Sequence, residues 1–123
     1  MADALTERIL GAAMKVHTAL GPGMLESAYE KCLQFELTRS GLKAASQVEL
    51  PITYDGVQID AGYRIDLLVE DRVILELKVV EQILPVHKAQ LLSYLKLSNL
   101  RIGLPLNFHV PHLKDGIVRL VNN

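Results

Sequence analysis

The chain of 123 residues contains a single cysteine, Cys32, and no tryptophan, and its aromatic residues are four tyrosines and two phenylalanines. One cysteine excludes an internal disulfide and any zinc cluster built from cysteines, and it fits a reducing compartment. No stretch approaches the ~18 uninterrupted apolar residues of a membrane span. Residues 1–8 lack the apolar core of a signal peptide. We therefore expect a cytoplasmic protein without a membrane partner.

An excess of charge of one sign is also missing. Thirteen basic and fourteen acidic side chains give a formal net charge of −1, so no global basic field holds nucleic acid. This excludes a general DNA-coating role more than it excludes an enzyme that holds its substrate briefly. Half of the residues are hydrophobic, which favours a surface shared with a second copy of the chain. We expect one domain over residues 1–123 that forms a homodimer.

Apolar residues at helical spacing predict three helices. The first covers residues 5–20 with Asp3 as its N-cap, and the second covers residues 24–40. Pro85 opens the third helix, which ends near residues 98–99. Two helices therefore precede the strands of the chain, and one lies between them.

A period of two predicts the strands, which begin near residue 44. Asp55-Gly56 is a strong signal for a tight hairpin turn, and Pro51 indicates an edge position or an irregular strand. Three or four strands precede the third helix. One or two follow it, over 102–110, interrupted by Pro105, and over 117–121.

Three ionisable residues interrupt segments that otherwise have the pattern of buried strands: Asp66, Glu76 and Lys78. Charged side chains are almost never fully buried unless they are paired or bind a metal. If Glu70-Asp71-Arg72 is a loop between antiparallel strands, Asp66 lies opposite Glu76, with Cβ atoms about 5 Å apart. Two carboxylates so placed repel each other unless a counter-charge is present or one takes up a proton.

A Mg²⁺ or Mn²⁺ ion would remove this repulsion, because hard cations bind carboxylate, carbonyl and water oxygens. The backbone carbonyl of Leu77 is a further candidate ligand. Lys78 leaves the strand on the same face as Glu76. It is therefore placed to orient or deprotonate an attacking water, or to stabilise charge on a phosphate. The alternative is a salt bridge on a solvated sheet face, in which Lys78 neutralises both acids.

Three residues on the predicted helices are further candidates. Gln90 and Tyr94 are four residues apart and share a helix face, where they could hold a phosphate or orient Lys78. An ordinary polar flank of the helix explains them as well. Glu26 lies near the start of its helix, where the helix dipole favours a carboxylate without any further role.

Several segments carry a resemblance to a known family. Residues 23–29, Gly-Met-Leu-Glu-Ser-Ala-Tyr, match the signature that names the GxxExxY protein family. Other segments similar to its members are Gly62-Tyr63-Arg64-Ile65-Asp66, Glu76-Leu77-Lys78, and Pro85-Val86-His87-x-x-Gln90-Leu91-Leu92-x-Tyr94. The chain resembles this family from residue 5 to about residue 121. The family is placed in the PD-(D/E)xK nuclease superfamily, in its RecB-like branch.

The resemblance implies an α/β (α+β) fold with a restriction-endonuclease-like core, in which helices flank a mixed β-sheet. It also implies that Asp66 is the motif aspartate and that Glu76 and Lys78 form the (D/E)xK pair. Gln90 and Tyr94 resemble the QxxxY motif of RecB-like exonucleases. By the same resemblance, Glu26 approaches the metal through water, and His17 is a candidate ligand. Ile65 stands where the superfamily name has a proline, at a variable position.

Two functions follow as hypotheses. The first is a Mg²⁺- or Mn²⁺-dependent nuclease that acts on DNA. The second is a non-catalytic module that binds nucleic acid or protein as a homo-oligomer and keeps the nuclease fold. Tyr29, Tyr63 and Tyr94 could stack on bases of a single strand, although packing in the core is the safer expectation for Tyr29 and Tyr63.

Overall fold

The computed structural model describes residues 3–123. Its helices are α1 (Ala4–Leu20), α2 (Glu26–Arg39) and α3 (Pro85–Ser98). Its strands are β1 (Ala44–Glu49), β2 (Ile52–Tyr54), β3 (Val57–Ile59), β4 (Arg64–Val69), β5 (Val73–Lys78), β6 (Ile102–Asn107) and β7 (Leu120–Val121), and a 3₁₀ turn covers Leu113–Gly116. None of the helices in the described residues is long and apolar enough to cross a membrane.

The helix ends follow the predicted signals closely. Asp3 caps α1, because its side chain accepts a hydrogen bond of 2.7 Å from the backbone N–H of Thr6. Pro85 occupies the first turn of α3, and Asn99 ends this helix in the left-handed conformation. Helix α2 starts at Glu26, two residues later than predicted, after the extended residue Leu25.

The main sheet has five strands in the order β1-β4-β5-β6-β7. Strands β5 and β6 are parallel, and the other neighbours are antiparallel. Helix α3 connects the parallel pair. One hydrophobic cluster packs α1 and α2 on the sheet, and a second packs α3 on it. The predicted mixed sheet flanked by helices is therefore confirmed.

The prediction of three or four strands before α3 was wrong, since the structure has five. The alternating segment from residue 44 divides at Leu50 and Pro51. Proline has no N–H for a ladder, and the N–H of Leu50 donates to the carbonyl of Tyr63 at 3.0 Å. Strands β2 and β3 then form a separate hairpin. Asp55 and Gly56 turn it with positive φ values of 51° and 78°, as the Asp-Gly signal predicts.

Pro105 does not interrupt its strand as predicted. It lies inside β6, beside Glu76 of β5 in the parallel register. Its carbonyl accepts a hydrogen bond of 3.1 Å from the N–H of Val118. The strand ends at Asn107, and β7 is limited to two residues. Gly116 brings the chain back so closely that a Cβ there would lie 2.1 Å from the carbonyl oxygen of Asn107.

Candidate active site

The hairpin of β4 and β5 holds the two acids at the end of its ladder. Val69 pairs with Val73 and Leu67 with Leu75, as predicted from the three-residue loop. Beyond the Leu67–Leu75 pair, the side chains of Asp66 and Glu76 accept hydrogen bonds from backbone N–H groups of the opposite strand. The N–H of Leu77 donates to Oδ2 of Asp66 at 2.9 Å, and the N–H of Asp66 points to Oε1 of Glu76 at 3.4 Å. Each carboxylate therefore faces the opposite strand, and the two form one pair.

Glu76 is buried beside a second negative charge, with only 8% of its surface exposed. Burial, and then the charge of Asp66 and a hydrogen bond to it, raise the pKa of Glu76 to about 9. Lys78 opposes this shift, yet within residues 3–123 it forms no ion pair with any carboxylate within 4 Å. The arrangement is therefore an incompletely neutralised acid pair and not the salt bridge that the sequence left open.

At Gln47 the alternation of side chains along β1 is broken, so that residues before and after it pack on different faces of the sheet. Gln47 falls between the pairs Ser46–Leu67 and Val48–Ile65 of β1 and β4, at the level of Asp66, and its φ of 53° is left-handed. Before it, Ala44 packs with the α1–α2 cluster, whereas Val48, four residues later, packs with the α3 cluster. In a regular strand both would lie on one face. The same change separates Leu67 from Ile65 on β4. Asp66 thus sits where the two faces exchange, within reach of groups from α2 and α3.

Helix α2 contributes two carboxylates to this place. Burial raises the pKa of Glu26, and the negative charge of Asp66 adds to the shift while Lys78 opposes it. Glu30, one turn later, has a pKa raised by burial and by Asp66. Glu30 accepts hydrogen bonds from Nε2 of Gln47 at 3.0 and 3.2 Å. Sequence reasoning missed Glu30, although its spacing of four from Glu26 was a signal that they share a helix face.

Tyr29 anchors the start of α2. Its hydroxyl donates to the carbonyl of Gly21 and accepts from the N–H of Met24 at 3.0 Å. Its buried ring stacks on Phe108 with centroids 4.4 Å apart. The N–H of Phe108 in turn donates to the carbonyl of Lys78 at 2.9 Å. Tyr29 is therefore a core residue, as expected, and it links the loop before Glu26 to the end of β5.

Helix α3 presents Tyr94 and Gln90 to one cavity, as their spacing predicts. Tyr94 is largely buried. Burial raises the pKa of its hydroxyl, and the negative charges of Glu76 and Asp66 raise it further. The Tyr94 ring meets Tyr63 edge-on, with centroids 5.7 Å apart. Gln90 is exposed at the rim of this cavity.

His17 is held elsewhere. Its Nε2 lies 2.8 Å from the carbonyl oxygen of Val110, and the ring lines a different cavity, together with Pro111 and His112. Within residues 3–123 no group of three or more histidine, cysteine, aspartate or glutamate side chains is arranged to hold a metal. The structure therefore joins Asp66 and Glu76 as a pair, whereas the approach of Glu26 to a metal through water and the ligation by His17 stay predictions.

Comparison with known families agrees with this geometry. The model of the PD-(D/E)XK nuclease superfamily matches residues 3–120. The chain belongs to this nuclease superfamily. Searches of the curated proteins and of the solved structures found no match. Nucleases of this superfamily generally use divalent metals, and they act on nucleic acids.

The acid pair of this nuclease-superfamily chain fits a divalent cation. Two carboxylates offer hard oxygen donors, and burial together with the neighbouring charge of Asp66 raises the pKa of Glu76, an effect that a bound cation would oppose. Mg²⁺ is typically bound by one or two carboxylates, with waters and substrate phosphates as the remaining ligands. A pair of acids without a third is therefore enough for this kind of site.

Proposed function

We propose that this protein is a divalent-metal-dependent nuclease that hydrolyses the phosphodiester bonds of DNA. The observation that carries the proposal is the buried Glu76 beside Asp66, without an ion-paired cation among residues 3–123. A purely structural acid pair would be costly to keep. A cation that arrives with the substrate gives the pair a function.

Asp66, Glu76 and the carbonyl of Leu77 would hold a Mg²⁺ or Mn²⁺ ion, with Glu26 acting through water. When bound, the ion supplies positive charge against the phosphate oxygens. The charge of Asp66 already acts on Glu26, so a cation beside Asp66 is expected to stabilise the ionised form of Glu26 as well.

Lys78 is the proposed catalytic lysine. Its ammonium lies close enough to influence Glu26 and Glu76, and it has no ion pair that would neutralise it among residues 3–123. In this position it would hold the attacking water or stabilise charge on the phosphate. Gln90 and Tyr94 line one cavity and would orient the substrate nucleotide, and their match to the QxxxY motif supports placing the chain in the RecB-like branch with the GxxExxY family.

A cleavage screen tests the proposal. Linear, circular, single-stranded and branched DNA are incubated with Mg²⁺ or Mn²⁺, and cleavage is compared between the wild type and Asp66→Ala, Glu76→Ala and Lys78→Ala. We expect each variant to lose about a hundredfold or more in rate. Asp71→Ala is the matched control, because Asp71 lies in the loop of the same hairpin, away from the pair. Full activity in Lys78→Ala would contradict the mechanism.

Calorimetry separates the nuclease from a non-catalytic module that keeps the fold. Large apolar side chains such as Phe35, which is 61% exposed, would suit a binding surface. The nuclease predicts that Mn²⁺ binds the wild type and that Asp66→Ala abolishes this binding. Absence of site-dependent Mn²⁺ binding would favour the module.

A further inference from the structure

A small cavity lies against α3, and one of its walls is Tyr63, three residues before Asp66. Its volume is about 220 Å³, and its lining consists of Ile52, Tyr63, Gln90, Ser93, Tyr94 and Leu97. Pockets for drug-sized ligands measure roughly 300–1,000 Å³. Within its walls this cavity therefore suits one compact group.

Tyr63 forms one wall of the cavity and is not required by the core. Its side chain is 39% exposed, yet its backbone is fixed, since its carbonyl accepts the N–H of Leu50 at 3.0 Å. Its ring meets that of Tyr94 at 62°. A partly exposed tyrosine on a fixed backbone is a platform on which a nucleobase can stack.

Tyr94 belongs both to the cavity and to the neighbourhood of the acids. Tyr63, in the same lining, precedes Asp66 by three residues at the start of β4, about 10 Å along an extended chain, and the charges of Glu76 and Asp66 contribute to the raised pKa of the Tyr94 hydroxyl. A base between the Tyr63 wall and Gln90 would therefore be attached to a phosphate close to the acid pair. Gln90, with an amide donor and an acceptor at the rim, can bond the edge of a base.

The weak net charge of the chain and the pairing of Arg64 favour recognition of the substrate by base stacking over attraction of its phosphates. The net charge of the chain is −1, and Arg64, next to Tyr63, is paired with Glu49 at 3.4 Å. Stacking on an aromatic ring is tolerant of sequence and adds binding energy for each stacked base. A base inside a duplex is already paired and stacked, so only an unpaired base can enter the cavity.

We propose that the cavity lined by Tyr63, Tyr94 and Gln90 holds one unpaired nucleobase beside the scissile phosphate. The inference rests on the proposed nuclease function and gives its substrate class: DNA that is single-stranded at the point of cleavage, as in free strands, frayed ends and flaps.

Binding tests the subsite without depending on catalysis. A fluorescein-labelled single strand and its blunt duplex are titrated with Lys78→Ala protein in Mg²⁺, and anisotropy is recorded. Tyr63→Leu is added to this background, with Tyr63→Phe to keep the ring. Tyr54→Leu is the matched control, since Tyr54 is 70% exposed and does not line the cavity. We expect Tyr63→Leu to weaken single-strand binding about tenfold. Tyr63→Phe and Tyr54→Leu should bind the single strand as tightly as the Lys78→Ala protein does, and duplex binding should be the same in all of these proteins.

A series of strands with a single abasic position completes the test. At one position in the strand, removal of the base should weaken binding to Lys78→Ala protein that retains Tyr63. The same removal should not change the affinity of the protein that also carries Tyr63→Leu. Equal binding of duplex and single strand, or equal losses in Tyr54→Leu and Tyr63→Leu, would overturn the subsite. If DNA is cut but Tyr63→Leu binds normally, the subsite fails alone. If the subsite is found but no DNA is cut, the catalytic proposal fails alone.

Discussion

Gln47 holds a backbone conformation that side chains other than glycine and asparagine seldom adopt. Its φ is 53°, and its side chain donates hydrogen bonds to Glu30. We predict that Gln47→Val destabilises the protein by roughly 1–3 kcal/mol, because a β-branched residue is strained at positive φ. Gln47→Asn, which tolerates this conformation, should cost less. Urea denaturation measures both, and equal losses would show that φ is not the cause.

Glu30 carries the second residue-scale prediction, which concerns the metal and not the fold. Its carboxylate accepts hydrogen bonds from Gln47, and burial and the charge of Asp66 raise its pKa, so we infer that Glu30 acts as an outer group beside the proposed ligand Asp66. We expect Glu30→Ala to weaken Mn²⁺ binding in calorimetry by about 10- to 100-fold. The control is Glu36→Ala on the same helix, whose carboxylate pairs with Lys15 and Arg39. A similar loss of Mn²⁺ affinity in Glu36→Ala would show that the effect comes from a general change in α2 and not from the Glu30 carboxylate.

These residues show where sequence reasoning stops. The Asp66–Glu76 pair was predictable because a three-residue loop fixes the register of a hairpin, and the structure confirms that register down to Leu67 and Leu75. The left-handed Gln47 had no signal, since glutamine is not a residue that turns usually select. The contacts of His17 with Val110 also depend on tertiary structure that no local pattern encodes.

Among the elements, α2 depends on its tyrosine. The Tyr29 hydroxyl bonds two backbone groups of the loop before the helix, so Tyr29→Phe leaves both of them without this partner. We predict a loss of about 1–3 kcal/mol in the free energy of unfolding. Metal-dependent cleavage should also fall, because the same loop sets the start of the helix that carries Glu26.

The same measurements on Tyr54→Phe provide the control for this change. Tyr54 lies on the exposed hairpin of β2 and β3, so removal of its hydroxyl should alter neither stability nor cleavage. If Tyr29→Phe were as stable as Tyr54→Phe, the hydroxyl would not anchor the loop.

Some boundaries of helices and strands depend on neighbouring residues in the sequence, and others depend on hydrogen bonds across the sheet. The caps of α1 and α3 were predictable because Asp3, Pro85 and Asn99 act on neighbouring backbone groups. The division at Pro51 was not, because it depends on the bond from Leu50 to Tyr63 across the sheet. The predicted interruption at Pro105 was wrong for a similar reason, since the parallel pairing of β5 and β6 accommodates Pro105 beside Glu76.

For the whole molecule, the acid pair makes stability depend on pH. The pKa of Glu76 is raised to about 9 from an unfolded value of 4.5, so between these values the folded protein binds more protons than the unfolded chain. Its contribution to stability is complete below the unfolded pKa and is lost as pH rises through the folded pKa. In EDTA we expect the free energy of unfolding to fall across this range, by at most about 1.4 kcal/mol per pH unit for one proton.

Glu76→Gln isolates this effect, because glutamine keeps the shape of the side chain and cannot ionise. In EDTA the variant should be more stable than the wild type above neutral pH, and its stability should change less between pH 5 and pH 9. Glu7→Gln, on the exposed surface of α1, is the control and should follow the wild type. Saturating Mn²⁺ should stabilise the wild type and not Glu76→Gln, since an ion that binds only the folded state stabilises it by mass action. The ranking of the two proteins at alkaline pH should then reverse. A wild type that stays less stable than Glu76→Gln in Mn²⁺ would mean that the pair does not bind the metal.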